Sequence, residues 1–133
     1  MEIRDLLTEK RLQQMGEMVA EITVAELKAK INAGEVFKLV DVSTPEDFES
    51  GHIAGAINIP LATLEETALR LFKPFQQIVV YAAETSSSLG MVAARLLQHL
   101  GFTNVLALKG GKEAWKNAGY PLEGEAKPGE QEK

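Results

Sequence analysis

Residues 78–97 read IVVYAAETSSSLGMVAARLL: an apolar run, a short polar stretch, then a longer apolar run. A strand-to-helix junction of this kind gathers backbone N–H groups and small side chains at a helix start, where nucleophiles sit and anions are cradled. The chemistry offered by Ala82, Ala83, Glu84, Thr85, Ser86, Ser87, Ser88 and Leu89 is narrow: hydroxyls, one carboxylate and no cation. A serine nucleophile needs a base within hydrogen-bond reach and a group that orients the base. Of the two histidines, His52 belongs to the turn GHIAGA, and His99 lies about three helical turns beyond the serines, out of reach. The serines are therefore expected to cap the helix and meet solvent. The N–H groups of residues 83–88 remain able to converge on a small anion, although Glu84 opposes one. Lys109 and Lys112, on either side of Gly110 and Gly111, either lend positive field to that loop or are simply solvated.

The elements that must position this loop alternate along the chain. EITV (21–24) is a short strand running into a helix through AELKAKI; Thr23 and Glu26 have the spacing of a capping box, and Asn32-Ala33-Gly34 ends the helix. FKLVDV (37–42) is a strand with Asp41 near its carboxyl end. TPEDFESG follows as a short helix, with Thr44 at the N-cap, Pro45 at the first helical position and acids in the first turn. AINI (56–59) is a strand closed by Pro60, and residues 61–72 form an amphipathic helix with Leu61, Leu64, Ala68, Leu71 and Phe72 as its core stripe. QIVVYA (77–82) has the unbroken apolarity of a strand buried on both faces. NVLALK (104–109) is a fifth strand, and GGKEAWKNAG is a closing helix that packs on the sheet through Trp115.

Strands separated by helices imply right-handed crossovers, an α/β fold and a mostly parallel sheet. Sites in such sheets form beyond the carboxyl ends of the strands. Asp41 and the loop after Tyr81 both fall there, which makes them candidates for one pocket.

The remaining chain divides into residues 1–19, an amphipathic helical extension; 20–123, the α/β domain; and 124–133, a polar tail. Ile3, Leu6, Leu7, Met15 and Met18 repeat at helical spacing, so the extension needs a partner for its apolar face: the domain itself, a second copy in a homodimer, or another protein. With 133 residues, 45% hydrophobic and 25% charged, the composition is globular. A net charge of −5 and the absence of a Lys/Arg run argue against nucleic acid as a partner. No stretch approaches the roughly 20 apolar residues of a membrane helix, and the N-terminus lacks a signal peptide's apolar run, so a cytoplasmic location is the default expectation. The chain has no cysteine, which removes disulfides, thiolate metal sites and thiol chemistry together. LKGGK lacks the glycine spacing of phosphate or dinucleotide loops. Neither a cofactor nor a metal is expected.

LVDVSTPEDFESGHIAGAINIP (39–60) and residues 78–121, ending in LKGGKEAWKNAGYP, together with the weaker opening EITVAELKAKI, resemble the rhodanese (sulfurtransferase) family over about residues 20–123. The resemblance implies a five-stranded parallel sheet flanked by helices on both faces, here with an extra N-terminal helix. It also implies a site: in that family the residue directly after the strand matching IVVY is a cysteine that takes a sulfane sulfur from a donor such as thiosulfate. The loop after it points N–H groups inward and usually carries an arginine. Aligned on Tyr81, the cysteine position falls on Ala82; counted back from AARLL it falls on Glu84, so the loop is about two residues longer than the common form. The arginine position falls on Leu89 or Ser88, and the Asp-Val-Arg usual after the second strand is Asp41-Val42-Ser43. His52 is structural in the family, and Asp41 supports the loop, often through the missing arginine. Here Asp41 is expected to bond loop N–H groups or serine hydroxyls instead. An alanine methyl can neither attack nor hold sulfur. The resulting expectation is a catalytically silent member that binds a protein partner or a small anion; the alternative is a sulfurtransferase whose cysteine has been replaced by Ala82.

Overall fold

QIVVY forms the middle strand of a five-stranded sheet, as its unbroken apolarity predicts. A computed structural model describes residues 19–83 and 88–124. In chain order these form β1 (Ala20–Ile22), α1 (Val24–Asn32), β2 (Lys38–Asp41), α2 (Pro45–Ser50) and β3 (Ile57–Asn58). A 3₁₀ turn (Leu61–Thr63) then leads into α3 (Leu64–Leu71), β4 (Gln77–Tyr81), α4 (Leu89–His99), β5 (Asn104–Leu108) and α5 (Gly111–Asn117). Most of the extension expected over 1–19, residues 125–133 of the tail, and Glu84, Thr85, Ser86 and Ser87 lie outside the described residues. No described helix is long and apolar enough to cross a membrane.

The sheet order is β1-β5-β4-β2-β3, and every pairing is parallel. Side-chain alternation along β4 divides the core in two. Ile78 and Val80 face one cluster with Leu64 and Ala68 of α3 and Ala93, Ala94 and Leu97 of α4. Val79 and Tyr81 face the other, with Leu27 of α1 and Trp115 of α5. Helices on both faces leave β4 no exposed side, so an alternating polar pattern would bury unpaired polar groups there.

Local rules set the helix starts. Thr23 Oγ1 accepts from the N–H of Glu26, and the Glu26 carboxylate accepts from the N–H of Thr23, completing the expected capping box. Thr44 caps α2 by accepting from the Asp47 N–H at 3.2 Å, with Pro45 at the first position. One core assignment is corrected. Leu71 is 50% exposed, because α3 stops there and Phe72, off the helix, turns into the core to meet the edge of Phe102.

Leu97 is fully buried between α4 and the sheet. Its replacement by alanine is expected to lower unfolding free energy by about 2–5 kcal/mol in urea titration, through lost transfer energy plus a cavity. A loss below about 1 kcal/mol would show that α4 packs loosely.

Candidate functional site

β2 and β4 are neighbours, yet the chain leaves β2 for β3 at one edge and leaves β4 for β5 on the other side. Connections that part in this way open a crevice beyond the strand ends. Its floor is a buried polar pair. Tyr81 is wholly buried, and its hydroxyl oxygen accepts from the N–H of Ile53 at 3.0 Å. Asp41, also at 0% exposure, lies beside it. Burial first, then the Asp41 charge, raises the Tyr81 pKa far above the ordinary tyrosine value, against the opposing pull of the Ile53 N–H.

Asp41 is held from its own turn. Its Oδ1 accepts from the Ser43 N–H at 2.9 Å and from the Ser43 hydroxyl. Asn58 locks the same turn from β3, its Nδ2 donating to the carbonyls of Asp41 (3.0 Å) and Ser43 (2.9 Å). Oδ2 accepts no bond of good geometry among the described residues. Among the described residues the donors to the Asp41 carboxylate come from Ser43, within its own turn; Glu84, Thr85, Ser86 and Ser87, of the loop expected to donate, lie outside them.

The chain leaving β4 is fixed by α5. The N–H of Lys112 donates to the carbonyl of Ala82 at 2.9 Å, and that of Glu113 to the carbonyl of Ala83 at 3.2 Å. Two N–H groups at the helix start, left over by helix geometry, thereby find acceptors in the loop. Gly110 turns the chain into α5: its φ of 82° is in the left-handed region, and a Cβ there would fall 2.5 Å from that of Ala114. The Lys112 ammonium donates to the carbonyls of Asp47 (2.9 Å) and Gly51 (2.7 Å) at the far end of α2. This corrects one earlier reading of Lys112: it is not simply solvated, since its ammonium is anchored on α2. Lys109 is exposed, and its N–H donates to the Ile22 carbonyl at 2.8 Å.

At the same strand ends, with Val42 and Leu61 of the α3–α4 side of the core in its lining, lies a cavity of about 360 Å³. Val42, Ser43, Thr44 and Asp47 line it from the β2 side, Pro60, Leu61 and Ala62 from the 3₁₀ turn, and Ala83 and Leu89 from either end of the loop. Of the residues singled out from sequence, Ala83 and Leu89 reach the cavity, Ser88 is exposed next to Leu89, and Asp41 is buried and does not line it. Ala82 does not line it: at 3% exposure its methyl packs in the cluster that holds Ala93 and Ala94. Lys109, Gly110 and Gly111 do not line this cavity; Gly110 caps α5 and Gly111 is its first residue. Pro60, Leu61, Ala62 and Asp47 were missed as site residues. The signal was available, since INIP closes a strand parallel to FKLVDV and its carboxyl end must open on the same crevice. His52 is bound within its turn: its ring stacks on Phe48 at 3.8 Å, Nδ1 lies 2.9 Å from the Phe48 carbonyl, and its backbone pairs with Glu123 in both directions.

The Tyr81 floor has a pH signature. An unfolded tyrosine ionises near pH 10, whereas the buried one keeps its proton well beyond that. Above about pH 10 the unfolded chain has lost a proton that the folded chain retains, so stability falls as pH rises, by up to about 1.4 kcal/mol per unit. Tyr81→Phe is expected to be less stable at neutral pH by about 1–3 kcal/mol, since the buried Ile53 N–H loses its acceptor. It is also expected to lose stability less steeply above pH 10 in denaturant titrations. Equal slopes for the two proteins would mean that Tyr81 ionises freely.

Known proteins share the family and the fold. The family model described as Rhodanese-like domain matches residues 23–118. The chain is 38% identical over 102 residues to an HTH-type transcriptional regulator of Mycobacterium tuberculosis, covering 77% of this chain and 44% of that protein. It is 30% identical over 105 residues to a sulfurtransferase of Allochromatium vinosum, covering 79% of this chain and 95% of that one. Among solved structures, the crystal structure of an Anabaena protein whose rhodanese-like domain has also been solved superposes with a TM-score of 0.73 at 35% identity, over 77% of this chain and 81% of that one. The chain spans about half the length of several curated relatives it matches, 44%, 60% and 51% in three cases. With a parallel β1-β5-β4-β2-β3 sheet, a crevice at the ends of β2 and β4 and a family match over most of its length, this chain belongs to the rhodanese-like domain family, and it does so without a cysteine.

Proposed function

We propose that this chain is a catalytically silent rhodanese-like domain acting as a binding or regulatory module. The observation that carries the reading is the residue after β4. Sulfur transfer needs a thiolate that attacks and then holds the cargo. Ala82 supplies a methyl group packed against α4, and no cysteine elsewhere in the chain can substitute for it. Two further residues point the same way. Leu89 stands at one of the positions where the family's arginine would fall, and Ser43 replaces the arginine expected after Asp41-Val42. The Lys112 ammonium, committed to two α2 carbonyls, does not restore the charge. A regulatory role is supported by the likeness to part of a protein named as a transcriptional regulator. The scaffold around the crevice is meanwhile well formed, which suits a domain that holds a protein partner or small ligand without transforming it.

The test is thiocyanate formation from thiosulfate and cyanide, with the unmodified chain and with Ala82→Cys. Both are expected to stay at the uncatalysed background, the second because the donor anion finds no cation. Turnover by the unmodified chain would defeat the proposal. Turnover by Ala82→Cys alone would favour the alternative, a sulfurtransferase that has lost only its nucleophile.

A further inference from the structure

We propose that the cavity between β2, the 3₁₀ turn and α4 binds an aliphatic ammonium group, carried by a small amine or by a partner's lysine side chain. The proposal rests on the non-catalytic reading above and gives it a ligand class. The walls are apolar: Val42, Pro60, Leu61 and Leu89. Asp47 is the one charged residue lining the cavity among the described residues, and it enters no ion pair among them. Ser43 gives its hydroxyl proton to Asp41, so it has none to offer an incoming anion. The cation nearest α2, Lys112, is turned to the carbonyls of Asp47 and Gly51. An anion entering here would meet the Asp47 carboxylate, with no side-chain cation lining the cavity among the described residues. An alkyl chain ending in –NH₃⁺ meets the reverse: methylenes bury against Leu61 and Leu89 while the ammonium stays at the wet rim beside Asp47. A volume of about 360 Å³ is ample for a chain of lysine's length and lies within the range of ligand pockets.

Isotope-edited NMR titration of the full chain tests this, with propyl-, butyl- and pentylammonium chloride against pentanoate and thiosulfate at constant ionic strength. The ammonium series is expected to give saturable shifts at Val42, Leu61 and Leu89, tightening by about two- to fourfold per methylene. Asp47→Asn is expected to weaken binding by about two- to fivefold, the range an exposed ion pair carries. Ala62→Phe, at an exposed position on the cavity wall, is expected to abolish binding with an unchanged melting temperature. Nα-acetyl-lysine methylamide separates the sources: tighter binding than pentylammonium assigns the group to a protein partner, weaker binding to a small amine, and either supports the proposal. Pentanoate or thiosulfate shifting the same residues as strongly would overturn it, as would an absence of saturable ammonium binding or an Asp47→Asn variant that folds and binds unchanged. Thiocyanate turnover would defeat the non-catalytic reading and leave ammonium selectivity intact, so the two failures are distinguishable.

Discussion

Two peptide carbonyls, those of Ala82 and Ala83, accept from the first N–H groups of α5. Everything at this edge of the sheet follows from that junction. A parallel strand leaves its last carbonyls without partners once the sheet ends, and a helix leaves its first N–H groups without partners; each satisfies the other here. The chain is thereby steered from β4 along a fixed path before the loop begins, and α5 is fixed in turn against the crevice. Gly110 turns the chain into α5, and Lys112 extends the tie to α2. Three elements far apart in sequence become one rigid frame without a residue devoted to chemistry.

That frame explains how a site can lose its reagent and keep its shape. The family resemblance places a cysteine at the first residue beyond β4, but the backbone there is held through carbonyl oxygens, which any side chain leaves unchanged. Asp41, Tyr81 and Asn58 likewise support the floor through bonds to backbone and to Ser43. Replacing a thiol with a methyl at position 82 therefore costs the fold little, and that methyl joins the core beneath α4.

How much of this was legible in the sequence depended on the range of the signal. The capping box at Thr23 and Glu26, the Thr44-Pro45 helix start and the buried run at β4 were readable because their causes lie within a few residues. The crevice was readable from the alternation of strands and helices, which puts sites beyond strand carboxyl ends, and from the resemblance. Lys112 was not: its ammonium is engaged by carbonyls 61 and 65 residues away, and nothing local distinguishes it from a solvated lysine. Leu71 was misplaced because the helical repeat was carried to the helix's last residue, where Phe72, just past the end, takes the core position instead. The cavity's third wall, Pro60 to Ala62, belonged to a strand end whose partner was clear, and the oversight was to look for polar groups alone.

The antiparallel bridge between His52 and Glu123 has a mechanical meaning. Beyond α5 the chain is fastened twice before residue 124, by the Trp115 indole donating to the Pro121 carbonyl and by that two-way backbone bridge. Tension applied from the carboxyl side would reach the turn after α2 and the indole ring first, and the parallel strands only after both fastenings had given way. The sheet is in this sense strain-relieved, like a cable clamped just outside its socket.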